Sequence, residues 1–136
     1  MKLLLSRMIV FLVTLVLLGM GSIGGVPEGT IPDVDKDFAV KLIDRDGVAT
    51  EITQFSIDGN TYLVGTRGQG QVTVQMQDLI KLEFGNVSAN EVQVRCTLRD
   101  DTQVELKVRK RSVFYGKGGF GVFQIHARHI KQIVFP

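Results

Sequence analysis

The chain is short of thiols, of imidazoles and of long apolar runs, and each shortage excludes a class of protein. Cys96 is the only cysteine, so no intramolecular disulfide can form and the fold must hold by packing and hydrogen bonding. His126 and His129 are the only histidines, too few for a zinc centre that takes three or four protein ligands unless cysteines or carboxylates join them. The longest apolar run, Met8 to Leu18 with Thr14 inside it, falls short of the roughly 20 residues that span a bilayer. Charge of one sign is also missing. The net charge of +2 resides in Lys2 and Arg7, since the remaining 14 Lys and Arg are matched by 14 Asp and Glu, all beyond residue 25. A nucleic-acid ligand, which draws in strongly basic proteins through its phosphates, is therefore not expected.

What is present begins with an export pattern. Lys2 and Arg7 precede the apolar run, and Gly19, Gly21, Ser22, Gly24 and Gly25 follow it. A basic segment, an apolar segment and small residues at the cut are the three parts of a secretory signal peptide. Residues 1–25 are expected to be that signal, cleaved after Gly21 or Gly24. The alternative is an uncleaved N-terminal helix anchored in the inner membrane. No cysteine stands near the cut, which excludes a lipid-anchored form. Residues 26–37, VPEGTIPDVDKD, carry two prolines and four acidic groups without apolar periodicity and are expected to be a flexible linker.

The remaining chain follows one plan twice. VKLIDRDGVATEI (Val40 to Ile52) lies over VRCTLRDDTQVEL (Val94 to Leu106), and YLVGTRGQGQVTVQMQDLIKLEF (Tyr62 to Phe84) over VFYGKGGFGVFQIHARHIKQIVF (Val113 to Phe135). Gly65, Gly68 and Gly70 coincide with Gly116, Gly119 and Gly121, and Leu79, Leu82 and Phe84 with Ile130, Ile133 and Phe135. The first copy is longer only around Ser56 to Asn60, where an Asp58-Gly59 turn replaces the basic turn Arg109 to Arg111. Period-two alternation divides each copy into about five short strands. The inward sets are expected at Val40/Leu42, Tyr62/Val64 and Val72/Val74/Met76. In the second copy they are expected at Val92/Val94/Cys96/Leu98, Val104/Leu106/Val108, Val113/Tyr115 and Phe123/Ile125/Ala127. Asp46-Gly47 predicts a tight hairpin turn, because both residues tolerate positive φ. Broken alternation at Gln77-Asp78-Leu79 and Arg128-His129-Ile130 predicts a single tight helical turn before each closing strand.

The expected fold is therefore all-β: two tandem five-strand meanders, residues 38–85 and 91–136, as two small barrels or as one merged barrel or sandwich. The run from an Asp-Gly turn through a glycine-rich hairpin to a closing Ile-x-x-Ile-x-Phe resembles a repeat of secreted bacterial proteins of unassigned activity. Its strand plan resembles SH3-like and Sm-like small barrels. That resemblance implies no catalytic residues.

Candidate sites are few. Gly116-Lys117-Gly118-Gly119-Phe120-Gly121 superficially suggests a phosphate loop, but a strand follows where a helix is required, so hairpin geometry accounts for it better. His126 and His129 are expected at the surface, and Cys96, alternating with Val92, Val94 and Leu98, in the core. The acidic residues Asp33, Asp35, Asp37, Asp44 and Asp46 lack the spacing of a calcium loop. No catalytic, cofactor or metal residue is assigned and no cofactor is expected.

Lys107, Arg109, Lys110 and Arg111 form the densest positive charge, suited to an acidic partner, a polyanion or lipid headgroups, or simply to an exposed hairpin that resists edge aggregation. With Phe114 and Phe120 they are the expected partner contacts. Residues 26–90 hold 5 basic and 10 acidic groups, residues 91–136 hold 9 and 4, an asymmetry that could steer head-to-tail association.

The functional expectation is an exported, periplasmic or envelope-associated, non-enzymatic protein that binds a protein or peptide. Self-assembly through its acidic and basic halves is the alternative, and a small metal-dependent enzyme the least favoured. Membrane contact is expected only through an uncleaved N-terminal helix.

Overall fold

The computed structural model describes residues 29–136, and the expected signal segment lies outside them. The first half of the chain forms β1 (Val40–Asp44), β2 (Ala49–Ile57), β3 (Tyr62–Arg67), β4 (Gly70–Gln75) and β5 (Leu79–Val87). The second half forms β6 (Glu91–Leu98), β7 (Gln103–Arg109), β8 (Val113–Gly118), β9 (Gly121–His126) and β10 (Ile130–Val134). The 3₁₀ turns Met76–Asp78 and Ala127–His129 precede β5 and β10, within a residue of where broken alternation predicts them. Among the described residues no helix is long and apolar enough to cross a membrane.

All ten strands pair antiparallel in one sheet, curled into a half-barrel, in the order β4-β3-β7-β6-β5-β10-β1-β2-β8-β9. The halves are not side by side in this order. The β3–β4 hairpin of the first half pairs with β7 of the second, and the β8–β9 hairpin of the second pairs with β2 of the first. β5 and β10 pair with each other at the centre, and β5 also takes β6, while β10 takes β1. Each half lends its central hairpin and closing strand to the first two strands of the other.

The core is correspondingly single. One cluster of buried apolar side chains draws on every strand except β9, with Phe123 and Ile125 of that strand packed against its margin. Phe114 packs against Phe55 in a tilted pair and against Phe84 edge-to-face, at ring-centroid distances of 5.9 and 5.7 Å, and Phe55 meets Phe135 at 5.9 Å. Every one of these ring pairs joins the two halves.

Two strands face the opposite way from the sequence expectation. In β3 the buried positions are Leu63 and Gly65, with Val64 exposed; in β8 they are Phe114 and Gly116. The inward sets expected at Tyr62/Val64 and Val113/Tyr115 are thus corrected by one residue, a slip that turns every side chain to the other face. Tyr62, Leu63 and Val64 are consecutive apolar residues, so alternation carried no phase there. Close approach fixes the phase instead. A Cβ on Gly65 would stand 2.9 Å from Leu106 Cβ, and one on Gly116 would stand 3.0 Å from Ile52 Cβ and from the Thr53 carbonyl. Each glycine lets a borrowed hairpin lie flat on its host strand.

The turns follow local chemistry. Asp44 Oδ1 accepts the N–H groups of Asp46 and Val48 at 2.9 and 3.0 Å, and Gly47 takes φ +83°. In the second half Asp100 Oδ1 accepts the Thr102 N–H at 3.0 Å, and Asp101, aligned on Gly47, takes the left-handed conformation at φ +66°. The Asp58-Gly59 turn has φ of +52° and +83°, the two positive values of a two-residue hairpin turn. Residues 29–39 form no strand or helix, but Asp37 Oδ1 accepts the Gln54 N–H at 2.7 Å and Lys36 Nζ donates to Gln77 Oε1 at 2.7 Å.

Candidate functional site: the open seam between β3 and β7

The exchange creates two seams where a hairpin meets its host, and they differ. β2 and β8 are paired at Thr53↔Lys117, Ser56↔Tyr115 and Ile57↔Phe114, across a bulge at Gln54, which has φ +50°. β3 and β7 are paired only at Thr66↔Lys107. The cause is chain length. Val40 and Val94 are 54 positions apart and Tyr62 and Val113 are 51 apart, so the first half carries three more residues from the start of its second strand to the start of its third, two of them in β2 (9 residues against 7 in β7) and one in the turn that follows. Those residues carry β2 past its bulge to Ile57, opposite Phe114. β7 stops at Arg109, and Leu63, which corresponds to Phe114, is paired with Val74 of β4 but has no pairing on its β7 side.

Beyond Thr66 the two strands therefore splay, and a cleft of about 350 Å³ opens between them, with Tyr62, Val64, Thr66 and Gln71 on one side and Lys107 and Arg109 on the other. Asp58, Arg109 and Ser112 continue into a second, more open hollow with Asn90, Lys110 and Arg111. Leu106 and Val108 are buried, so the alternate residues Lys107 and Arg109 share the outer face of β7, with α-carbons about 7 Å apart at strand spacing.

β7 sits between β3 and β6, whereas the sheet ends at β4 and β9. Beyond Lys107, however, its β3-facing side is unpaired, so the basic run also borders a locally exposed strand edge. Among the described residues two ion pairs lie elsewhere on the sheet, while Lys41, Arg67, Lys117 and Lys131 join none. Arg95 Nη2 lies 2.9 Å from Glu105 Oε1 on the neighbouring strand, and Lys81 Nζ lies 3.3 Å from Glu83 Oε1. Among the described residues Lys107, Arg109, Lys110 and Arg111 join no ion pair or side-chain hydrogen bond. The one carboxylate in the cleft, Asp58, is committed to the fold through Oδ1, which accepts the Val113 N–H at 2.8 Å, while its own N–H donates to the Val113 carbonyl. Partial burial of the Tyr115 phenol, and secondarily the Asp58 charge, raise its pKa above the ordinary value.

The other expected contacts are scattered. Phe114 is wholly buried in the aromatic cluster and is corrected from a partner contact to a core residue. Phe120 is 73% exposed at the tip of the β8–β9 hairpin, its ring beside Phe123. The glycines around it serve the hairpin, in which Gly118 pairs with Gly121. A larger and more open hollow of about 610 Å³, formed in part by Lys41, Ile52, Thr53, Lys117 and Val134, lies on the zipped side. There Lys41 stands opposite Glu51 in the strand register.

His126 and His129, with ring centroids 6.5 Å apart, line a surface hollow with Asp44 and Asp46, and the Arg128 guanidinium donates to His129 Nε2 at 3.0 Å. Among the described residues no group of three or more His, Cys, Asp and Glu is arranged to hold a metal ion. Cys96 lies in the core, where burial pushes its thiol up to about 12.

The family model described as "Uncharacterised protein" matches residues 34–136. No curated protein and no solved structure matches the chain.

Proposed function

Because the chain belongs to the family described as "Uncharacterised protein", we propose from its own geometry that it is an exported, non-enzymatic binding protein of the bacterial envelope whose ligand lies in the β3–β7 seam. The observation that carries this reading is the inequality of the two seams: one is zipped by backbone pairing, and the other is held open beneath unpaired cations. The export half rests on the N-terminal signal pattern.

The ten strands form two five-strand groups of matching order, β10-β1-β2-β8-β9 and β5-β6-β7-β3-β4. We read them as an internal repeat on a small-barrel plan, with the last three strands exchanged. That exchange interleaves the acidic and basic halves in one sheet. It weakens the separation of charge that head-to-tail assembly requires, and so favours binding over self-assembly.

Two measurements test the proposal. Full-length protein produced in a bacterial host is fractionated, and its N-terminus is sequenced. An intact N-terminus in the cytoplasmic fraction would defeat the export half. The isotopically labelled, purified protein is then titrated with soluble, wall and lipid extracts of the envelope. Amide shifts confined to the seam support the binding half; shifts confined to the His126–His129 hollow, with turnover of a component, would replace it with an enzyme.

A further inference from the structure

We propose that two copies of the chain pair through their β9 strands, antiparallel across a two-fold axis at Gln124, so that the two sheets run on as one. β9 closes the sheet at one end and has β8 on one side only. The Ala127 N–H donates to the Ser112 carbonyl, which sets the phase of the β8–β9 ladder. Phe123 and Ile125 turn their backbone groups to β8, whereas Val122, Gln124 and His126 turn theirs away from it. No hydrogen bond among the described residues uses those outward groups.

Natural sheets blunt such an edge with charge, proline or a bulge. β9, GVFQIH, has no Lys, Arg, Asp, Glu or Pro, and its register against β8 runs unbroken from Gly121 to His126. The core is also unfinished there: Phe123 and Ile125 flank the buried cluster without entering it, and Val122 and Phe120 are exposed. β4, at the other end, is equally free of charge, but Val74 is already buried and Gln71, Thr73 and Gln75 are polar, so covering it gains less.

A second copy fits because β9 matches itself. Pairing about Gln124 sets Val122 opposite His126 of the second copy, and the outward donors and acceptors of both strands are met. The same register lays Phe123 beside the second copy's Ile125 on the core face, and the reverse, so two incomplete core margins cover each other. It also carries each hairpin tip, with Phe120, to the end of the other β9. The chain uses this device once already: β5 and β10 pair antiparallel with Leu82 directly opposite Ile133, its counterpart in the sequence alignment. An isolated extended peptide meets the backbone; a second copy brings the matching core margin with it. The contact is isologous and stops at the dimer. It involves neither the β3–β7 seam nor the acidic and basic halves, and is independent of the binding reading.

The test is sedimentation equilibrium of the purified full-chain product as the host processes it, at low and at high salt. Concentrations run from about 1 μM to 1 mM, because a contact of one strand and its flanks belongs to the small, reversible class. A monomer–dimer equilibrium insensitive to salt is expected. At low salt Gln124→Lys should weaken it about fivefold by setting like charges directly opposite, Gln124→Glu likewise, and an equimolar mixture of the two variants should recover the wild-type affinity. Thr73→Lys, at the corresponding position of β4, should leave it unchanged. Both positions are exposed, and thermal unfolding confirms that each variant is folded. A monomer at every concentration would overturn the proposal. So would dissociation of the wild-type dimer by salt, which marks charge pairing, or growth beyond the dimer, which marks a head-to-tail contact. Loss of the dimer in Thr73→Lys would move the contact to β4, and a mixture no tighter than its components would remove Gln124 from the axis; either result overturns it.

Discussion

Gly65 rests against Leu106 so closely that a single added methyl would stand 2.9 Å from the leucine Cβ, and Gly116 repeats the relationship against Ile52 at 3.0 Å. Both contacts join a hairpin of one half to a host strand of the other. They are the places where the exchange of strands can be perturbed by one carbon atom.

Alanine at either glycine should destabilise the fold by overpacking, by about 1–3 kcal/mol. The two costs should differ. Gly116 lies in the zipped seam, where Thr53 and Ser56 pair with β8 on both sides of it and the strands cannot part without breaking those bonds. Gly65 lies in the open seam, where a single pairing resists separation. Urea unfolding of the two variants checks this, with the larger loss expected for Gly116→Ala; equal losses would mean that the β3–β7 seam is as rigid as its counterpart.

Cys96 should be chemically silent in the native protein. It has no solvent exposure, and burial alone raises its thiol to about 12, which leaves almost no thiolate to react at neutral pH. A chromogenic disulfide reagent at pH 8 should label one thiol per chain in denaturant and none on the same timescale without it. Fast labelling of the folded protein would contradict the placement of β6 in the core.

Much of the strand plan was legible in the sequence, and the sheet order was not. The ten strands, the 3₁₀ turns at Met76–Asp78 and Ala127–His129 and the Asp46-Gly47 hairpin are set by residues close together in the chain, which local pattern reports. Which hairpin lies on which host depends on contacts such as Gly65 with Leu106, across some forty residues, and alternation holds no record of them. The phase of β3 and β8 was lost for a related reason: in runs such as Tyr62-Leu63-Val64 both faces are apolar, and only the small inward residue, Gly65 or Gly116, marks the buried side. The coincidence of those glycines was visible, and it bore on the packing of the halves more than on the hairpins. The basic run of the candidate site was equally visible. Its setting was not, because an interior position for β7 follows from sheet order alone.

The Asp100 turn gives a pH dependence with a definite sign. The Thr102 N–H donates to the Asp100 carboxylate and lowers its pKa below the ordinary 3.8. A carboxylate with a depressed folded-state value contributes stability that is fully present above its unfolded value and is lost as pH falls through the folded one. The Asp100 contribution should therefore be nearly intact at pH 5 and decline through about pH 4, where unfolded aspartate is half protonated. In Asp100→Asn that part of the acid slope should vanish, with the urea midpoint converging on wild type at the lowest pH. A slope unchanged by the substitution would show that the turn hydrogen bond does not favour the charged form.

Reciprocal exchange predicts that neither half folds alone. Residues 38–87 by themselves would hold β3 and β4 without β7, and β5 without β6 or β10, so the inward faces of Leu63, Leu82 and Phe84 would lie open to water. Burying each such side chain is worth about 1.5–3 kcal/mol, against a net stability of only about 5–15 kcal/mol for a typical domain, and losing several at once removes the margin. The second half faces the same loss at Phe114, whose aromatic partners Phe55 and Phe84 both belong to the first. Each half expressed separately should give the circular dichroism of an unfolded chain, and mixing the two should restore the sheet. Cleavage within residues 88–90, the exposed link between β5 and β6, should leave the fragments associated until denaturant is added. If either half instead folds alone as a monomer, its hairpin must be able to close on its own first strands, and the exchanged sheet would be one of two arrangements open to the sequence.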